Sequence, residues 1–207
     1  MILTRMTAAG TDGSRVMLWF DDGTKMKVPT AAVGDFGLYA GMPVTEDFLS
    51  ELLDAAQRAS AKARAVRIVS AAAVSERELR SRLTRKGERP EDADAAVDWL
   101  RELGALDDGA MAQRSTMRFA DKGYGESRVR QELYRKGIPR EYWEEALSLL
   151  PDMSGAIDRF LERRFGGEAP EQSDIKKTAD ALARRGHSWE DISAGLRRYT
   201  DGLPDEE

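Results

Sequence analysis

Leu83-Thr-Arg-Lys-Gly87, Leu133-Tyr-Arg-Lys-Gly137 and Leu182-Ala-Arg-Arg-Gly186 are three copies of one short signature. In each copy a leucine is followed four residues later by a glycine, and two cations stand directly before that glycine. The glycines lie 50 and 49 residues apart. A nearly constant interval of this size is typical of tandem structural repeats, in which neighbouring units help to stabilise one another. The signature therefore predicts a chain built largely from three similar units.

The apolar residues around each glycine indicate two helices. One helix precedes the glycine, with the leucine four positions before it and Leu79, Val129 or Thr178 eight positions before it. Apolar residues also recur six, nine, ten and thirteen positions after the glycine: Ala93, Ala96, Val97, Leu100; Trp143, Ala146, Leu147, Leu150; Ile192, Gly195, Leu196, Tyr199. Those intervals trace one face of an α-helix. The glycine is therefore predicted to end the first helix in a left-handed conformation, beside cations that suit the negative helix end.

The residues before the repeats have a different pattern. Met1 to Thr7 and Arg15 to Phe20 are strand candidates, and Asp21-Asp22-Gly23 predicts a hairpin turn before a return strand from Thr24 to Val28. Alanine-rich sequence from Ala55 to Ala73 favours helix, so a connector of one long helix or two is expected to lead into the first repeat.

The predicted fold class is all-α, with three tandem three-helix repeats in an elongated, curved body and a small N-terminal β-hairpin element. The predicted divisions are the hairpin and linker in 1–44, a connector helix in 45–60, repeat one in 61–106, repeat two in 107–151, repeat three in 152–200 and an acidic tail in 201–207.

The composition excludes several kinds of chemistry. The chain has no cysteine, and its one histidine, His187, cannot alone supply a histidine metal cluster or a Ser-His triad. No run approaches the roughly 20 apolar residues of a membrane span, and the N-terminal segment lacks the apolar core of a signal peptide. We therefore expect a soluble cytoplasmic protein that is no enzyme and needs no metal or cofactor.

The charge of the chain is unevenly distributed. The formal net charge is −5, which argues against a surface built entirely for nucleic acid. The segment from Ala110 to Arg140, however, contains eight cations and three acids, a local excess of five positive charges. The tail from Asp201 to Glu207 carries four acids and no cation. This polarity predicts a basic recognition surface in the middle of the chain.

The second repeat carries a family resemblance. Tyr124-Gly-Glu-Ser-Arg-Val-Arg-Gln-Glu-Leu-Tyr-Arg-Lys-Gly-Ile138, preceded by Leu100-Arg-Glu-Leu-Gly-Ala-Leu-Asp-Asp108, resembles the central repeat of the RecX regulatory family. Ser75 to Gly87 is similar to the same family, in which an aromatic residue usually stands where this chain has Met111. Methionine can fill the same gap in a core.

The resemblance implies a function and a partner. It implies a non-enzymatic regulator that binds the RecA recombinase filament, restrains its ATPase and strand-exchange activities, and so modulates recombinational DNA repair. We also expect the protein to be a monomer. The residues predicted to contact the filament, the DNA backbone or both are Arg85, Lys86, Arg118, Lys122, Tyr124, Arg128, Arg135 and Lys136.

Other interpretations remain open at this stage. The basic residues can form an ordinary solvated helix face, in which exposed ion pairs contribute only ~0 to 1 kcal/mol each. Tyr124 can pack beneath the helix that follows it or stand exposed as an aromatic anchor. Arginine-rich helix pairs joined by a glycine turn also resemble helix-turn-helix units, so a direct but weak and non-specific binder of single- or double-stranded DNA is the alternative function. A third possible function is that of an adaptor for an unrelated partner.

Overall fold

A computed structural model describes residues 1–10 and 13–203, which divide into two compact units. The first unit contains Met1–Val74 and Glu78–Leu106. The second contains Ser75–Arg77 and the chain from Asp107 onward. Of the predicted acidic tail, residues 204–207 lie outside the described part of the chain.

The described chain is mostly helical after a short β region. Its strands are β1 (Leu3–Ala9), β2 (Arg15–Phe20) and β3 (Lys25–Pro29). Its helices are α1 (Thr30–Asp35), α2 (Glu46–Ala71), α3 (Glu76–Arg85), α4 (Pro90–Glu102), α5 (Asp108–Asp121), α6 (Glu126–Lys136), α7 (Trp143–Leu147), α8 (Ser154–Phe165), α9 (Gln172–Arg184) and α10 (Trp189–Asp201), with a 3₁₀ turn over Arg140–Tyr142. The predicted helical fold with a small N-terminal β element is confirmed.

The three strands form one antiparallel sheet in the order β1-β2-β3. The predicted turn joins β2 to β3, where Gly23 adopts a φ of +86° and the Phe20 N–H donates to the Thr24 carbonyl over 3.0 Å. Leu3, Leu18 and Val28 are fully buried on one face of the sheet and share a core with Leu52 of α2. The sheet is therefore anchored by the first half of that helix.

Helix α2 joins two cores within the first unit. It runs without a break for 26 residues, so the connector is one helix rather than two. Its first half contributes Leu52 and Ala56 to the core beneath the sheet. Its second half places Ala61 and Ala65, both fully buried, against the core that α3 and α4 form. Alanine at these positions lets the neighbouring helix approach closely, because the side chain adds little bulk.

The repeated signature ends a helix in all three repeats. Gly87, Gly137 and Gly186 adopt φ values of +88°, +70° and +90°, which glycine reaches without the steric cost that other residues meet. The residue after each glycine donates its N–H to the carbonyl of the signature leucine, over 3.2 Å to Leu83, 3.1 Å to Leu133 and 3.3 Å to Leu182. This hydrogen bond defines the Schellman motif. The three leucines are fully buried, so each signature ends a helix and anchors a core.

Each repeat has its own core, formed mainly by the residues that the apolar spacing singled out. The first contains Leu79, Leu83, Ala93, Ala96, Val97 and Leu100. The second contains Met111, Ala112, Val129, Leu133, Ala146 and Leu147, with Met111 only 4% exposed. The third contains Ile157, Leu161, Ala179, Leu182 and Ile192. Methionine thus fills its predicted place in the second core.

One predicted helix is shorter than the apolar spacing indicates. The pattern from Trp143 to Leu150 predicts a continuous helix, but α7 ends at Leu147 and a 3₁₀ turn precedes it. Pro151 explains the early end, because a proline disfavours helical backbone in the residue before it, here Leu150. Trp143 and Leu150 nevertheless pack against the second core.

Gly195 is a point of close helix packing in the third repeat. A Cβ atom at this position would lie 2.5 Å from Cγ2 of Ile157, so α10 and α8 meet there at a distance that only glycine permits. Gly195 occupies one of the repeated apolar positions after the third signature, and its lack of a side chain allows this contact between α10 and α8.

Replacing Gly195 by alanine should destabilise the second unit. Alanine normally favours a helix over glycine by about 1 kcal/mol, but overpacking a tight core costs about 1 to 3 kcal/mol. We therefore expect a net loss and a lower melting temperature in thermal unfolding.

Gly155→Ala is the matched control in α8. There the nearest atom to an added Cβ is the mobile Nη1 of Arg159 at 3.6 Å, so no loss of stability is expected. Equal melting temperatures for the two variants would contradict the close packing at Gly195.

Candidate functional site

The second unit holds six of the eight residues predicted to contact a partner. Arg118 and Lys122 lie at the end of α5, Tyr124 lies between α5 and α6, and Arg128, Arg135 and Lys136 lie on α6. Arg85 and Lys86 belong to the first unit, where both are exposed at the end of α3. The predicted surface residues are therefore divided between the two units.

A carboxylate partly neutralises the cations of α6. Arg135 donates through Nε and Nη2 to the two oxygens of Glu132, over 2.9 and 2.8 Å, and Lys136 Nζ lies 3.8 Å from the same carboxylate. Burial raises the pKa of Glu132, but the hydrogen bond and charge of Arg135, with the charges of Lys136 and Arg128, outweigh it, so the pKa is lowered overall. Three cations around one ionised carboxylate leave this helix face with two net positive charges.

The cations of this region differ in how accessible they are. The Arg135 side chain is 74% exposed, whereas that of Lys136 is only 26% exposed. Arg118 and Arg128 are exposed, and among the described residues neither has a carboxylate within ion-pair distance. Arg118, Arg128 and Arg135 are consequently the cations best placed to meet a partner, while Lys136 serves mainly the fold.

Tyr124 is half-buried and packed. Its ring lies 5.2 Å from that of Phe119, and the Arg185 guanidinium lies over the Tyr124 ring, 4.6 Å from its centroid. Of the two roles open to Tyr124, the structure shows the packing role. The strongly exposed aromatic residue of this repeat is Tyr134 on α6, which is 67% exposed and is not among the residues predicted to contact a partner.

Two glycines bring the second and third repeats into contact inside this unit. The backbone N–H of Gly125 donates to the Arg185 carbonyl over 3.0 Å, and that of Ser127 donates to the Gly186 carbonyl over 3.1 Å. A Cβ on Gly125 would overlap the Gly186 carbonyl, and a Cβ on Gly186 would overlap the backbone nitrogen of Arg128. The helix-ending turn of the third repeat therefore lies directly on the first turn of α6.

The side chains of Arg185 and His187 reinforce this junction. Arg185 Nη2 donates to the Lys122 carbonyl over 2.7 Å, and His187 Nε2 donates to the Gly123 carbonyl over 3.1 Å. Burial lowers the pKa of His187 below its ordinary value of 6.5, and the Arg185 charge adds to this, while the Gly123 hydrogen bond opposes it. Burial thus favours the neutral form of this histidine in a polar contact between repeats.

A similar contact lies elsewhere in the second unit. The Ser75 hydroxyl donates to the Lys136 carbonyl over 2.5 Å, and a Cβ on Gly137 would lie 2.7 Å from Cδ of Arg77. Ser75 and Gly125 occupy corresponding positions twelve residues before the glycines of their own repeats. In both contacts, therefore, the helix-ending glycine of one repeat lies against the start of the signature helix of the preceding one.

Sequence reasoning missed several cations of the third repeat. Arg159 and Arg163 lie one turn apart on α8, and with Lys122 and Arg185 they line a small cavity. The spacing of Arg159 and Arg163 was visible in the sequence. Their proximity to Lys122 was not, because it depends on how the repeats pack.

Within residues 1–10 and 13–203, no group of three or more His, Cys, Asp or Glu side chains could hold a metal ion. No helix in that part of the chain is long and apolar enough to span a membrane.

Comparison with known proteins points to one family. The family model for the first three-helix domain of RecX matches residues 61–100, and that for its second three-helix domain matches residues 107–147. These matches cover most of the first two predicted repeats. Both matched ranges end before the predicted third repeat begins at residue 152.

Comparisons with full-length proteins and with solved structures agree with these family matches. Regulatory protein RecX of Cronobacter sakazakii is 34% identical over 164 residues, which cover 72% of this chain and 99% of that protein. RecX of Escherichia fergusonii is 36% identical over 152 residues, covering 67% and 90% respectively. A crystal structure of regulatory protein RecX matches with a TM-score of 0.72 at 20% identity, over 97% of this chain and 98% of the other. The RecX structure from Lactobacillus salivarius matches with a TM-score of 0.62 at 17% identity, over 70% of this chain and 98% of that one, so these two structures support the fold.

Replacing Gly186 by alanine should disrupt the junction between the second and third repeats. The variant must pay the cost of a left-handed residue, about 1 to 2 kcal/mol, and must also move the backbone of Arg128. We expect a total loss of about 3 kcal/mol or more, measured by thermal unfolding and by faster amide hydrogen exchange in α6 and α9.

Gly87→Ala is the matched control, because Gly87 has nearly the same φ but nothing within 4 Å of an added Cβ. It should lose only the conformational cost. A loss as large as that of Gly186→Ala would show that the contact with α6 contributes nothing.

The lowered pKa of His187 predicts a pH dependence of stability. The folded state resists a proton that the unfolded chain accepts near its ordinary pKa, so this contribution is complete above about pH 6.5 and declines as the pH falls below it. Thermal unfolding between about pH 7.5 and 5.5 should show a steeper decline for the parent than for His187→Gln. Comparing the two proteins cancels the common contribution of the carboxylates, and parallel curves would contradict the prediction.

Proposed function

We propose, because this chain belongs to the RecX family of regulatory proteins, that it binds the RecA recombinase filament and inhibits its ATPase and strand-exchange activities. The observation that carries this proposal is the match over 99% of the length of a RecX relative. In this proposal the protein is a cytoplasmic monomer without catalytic chemistry of its own, and it acts by binding.

The basic surface on α5 and α6 supports the proposal physically. Arg118, Arg128 and Arg135 are exposed on a folded scaffold whose cores do not depend on them. Such cations favour association with an acidic or nucleic-acid-bearing partner, chiefly by steering the encounter and disfavouring wrong partners. Arginine is also enriched among the residues that dominate binding energy at protein interfaces.

Inhibition then follows from selective binding. A ligand shifts a conformational equilibrium only by the difference between its affinities for the two states. A regulator that binds one state of the filament more tightly therefore holds it there. The ATPase cycle and strand exchange slow because both require the filament to leave that state.

The packing of α6 disfavours the helix-turn-helix alternative for this repeat. In that mode the first residues of the recognition helix contact base edges in the major groove. Here the N–H groups of Gly125 and Ser127 are bonded to the third repeat, whose glycine turn lies on that end of α6. We therefore propose that any contact of α6 with DNA is made to the phosphate backbone and is weak and non-specific.

Increasing amounts of the protein should lower the single-strand-dependent ATPase rate of RecA and slow strand exchange. Unchanged rates at several-fold molar excess over recombinase would overturn the proposed function.

The charge-reversed variant Arg118→Glu with Arg128→Glu tests the surface. It should need about 10-fold more protein for half-maximal inhibition, because each reversal turns attraction at a complementary interface into repulsion. The same ATPase titration measures it, with circular dichroism to verify folding. Lys136 is left unchanged because its side chain packs beside the Glu132 carboxylate.

Lys176→Glu with Arg197→Glu is the control, since both residues are exposed cations of the third repeat and the change in charge is equal. This control should inhibit like the parent. If the two variants inhibit equally, the basic surface of α5 and α6 has no special role.

A further inference from the structure

A small cavity in the second unit is lined by four cations. Lys122 follows α5, Arg159 and Arg163 lie on α8, and Arg185 follows α9. Its volume is about 130 Å³. Asp121 is the one carboxylate among its described lining residues, so the lining carries an excess of three positive charges.

These cations are not neutralised by the fold. Within the described part of the chain, none of the four has a carboxylate within 4.0 Å, although neighbouring arginines of the same repeat do. Arg164 approaches Asp174 to 3.9 Å, and Arg198 contacts Asp158 over 2.7 Å. Two arginines outside the cavity, Arg164 and Arg198, are thus paired, whereas the four cations that line it have no carboxylate partner among the described residues.

Arg185 is held in a fixed orientation. Its guanidinium stacks on Tyr124 at 4.6 Å and lies 5.5 Å from the ring centroid of Phe160, while Nη2 donates to the Lys122 carbonyl. A guanidinium has five N–H donors, so most of its donors are not used by this contact. Because the side chain is already oriented, less conformational entropy is lost when it contacts a ligand.

The size and donors of the cavity define the ligand. Pockets for organic ligands usually measure about 300 to 1,000 Å³, so this cavity suits a single small group. Planar guanidinium groups bind tetrahedral oxyanions through paired hydrogen bonds, and phosphate is the oxyanion that they recognise most often besides carboxylate.

The surroundings favour a phosphate that belongs to a chain. Arg118 lies one helical turn before Lys122 on α5 and is exposed, so the positive charge continues beyond the cavity. In a duplex each strand carries one phosphate charge per about 3.4 Å of helix axis, and an extended single strand places its phosphates further apart, so a spacing of one helical turn, about 5.4 Å, suits neighbouring phosphates. A polynucleotide can therefore place one phosphate in the cavity and the next beside α5.

We propose that the cavity formed by Lys122, Arg159, Arg163 and Arg185 is a phosphate-binding pocket that holds one backbone phosphate of a single nucleic-acid strand. This goes beyond the proposed function because it requires no recombinase. Direct strand binding and inhibition of RecA are separate measurements, so either can fail without the other.

The test measures binding of a short labelled oligothymidylate by fluorescence anisotropy at a series of salt concentrations. Arg159→Gln with Arg163→Gln should weaken binding about 10-fold and lower the slope of log K against log salt by about 0.7, since the one phosphate held in the cavity is no longer neutralised. Lys176→Gln with Arg197→Gln removes equal charge from the same repeat away from the cavity, and should bind almost like the parent. Circular dichroism and thermal unfolding verify that all variants are folded.

His187 provides a second measurement, because it lines the cavity and is the only histidine. Its imidazole NMR signals should shift to saturation when inorganic phosphate is added at constant ionic strength, and should not do so in Arg159→Gln with Arg163→Gln. Equal oligonucleotide affinity of the cavity variant and the control would overturn the proposal. So would displacement of the oligonucleotide by an oligoglutamate peptide at lower concentration than by inorganic phosphate, which would assign the cavity to an acidic protein segment.

Discussion

The left-handed glycine that ends each signature helix is the constraint on which the repeats depend. It allows the following N–H to reach the carbonyl of the signature leucine, which stops the helix and leaves that leucine in the core. At Gly186 the lack of a Cβ also allows the turn to lie on the first residues of α6. One residue type thus satisfies a requirement of the backbone and a requirement of packing between repeats.

The charges of the second unit fall into two groups with different consequences. Some support the fold, as Glu132 does when it holds Arg135 and Lys136 along α6 and titrates at a lowered pKa. Others lie at a surface or a cavity without a carboxylate partner, as Arg118 and Arg159 do within the described residues. Exposed ion pairs contribute little to stability, so the second group has little structural reason to be cationic. Under the proposed function, recognition of an anionic partner supplies such a reason.

Membership of the RecX family and the packing of the second unit together limit how the protein can act. The family relationship indicates a regulator, and a regulator needs surfaces that are independent of its cores. The contact between Gly125 and Gly186 covers the end of α6 that a helix-turn-helix protein would use to contact bases. Under the proposed function, the partner contacts the exposed arginines of α5 and α6, which are Arg118, Arg128 and Arg135.

The sequence by itself determined the repeats, the helix ends, most of the core and the family. This was possible because these features are local: a helix places residues three and four apart on one face, and glycine alone adopts the left-handed conformation cheaply. The sequence also indicated where positive charge accumulates. Only the tertiary structure decided which cations are accessible, that Tyr124 is packed beneath Arg185, and that Lys122 shares a cavity with Arg159 and Arg163. Those relationships join residues far apart in the chain, and they depend on how the second and third repeats pack, which no local spacing of residues encodes.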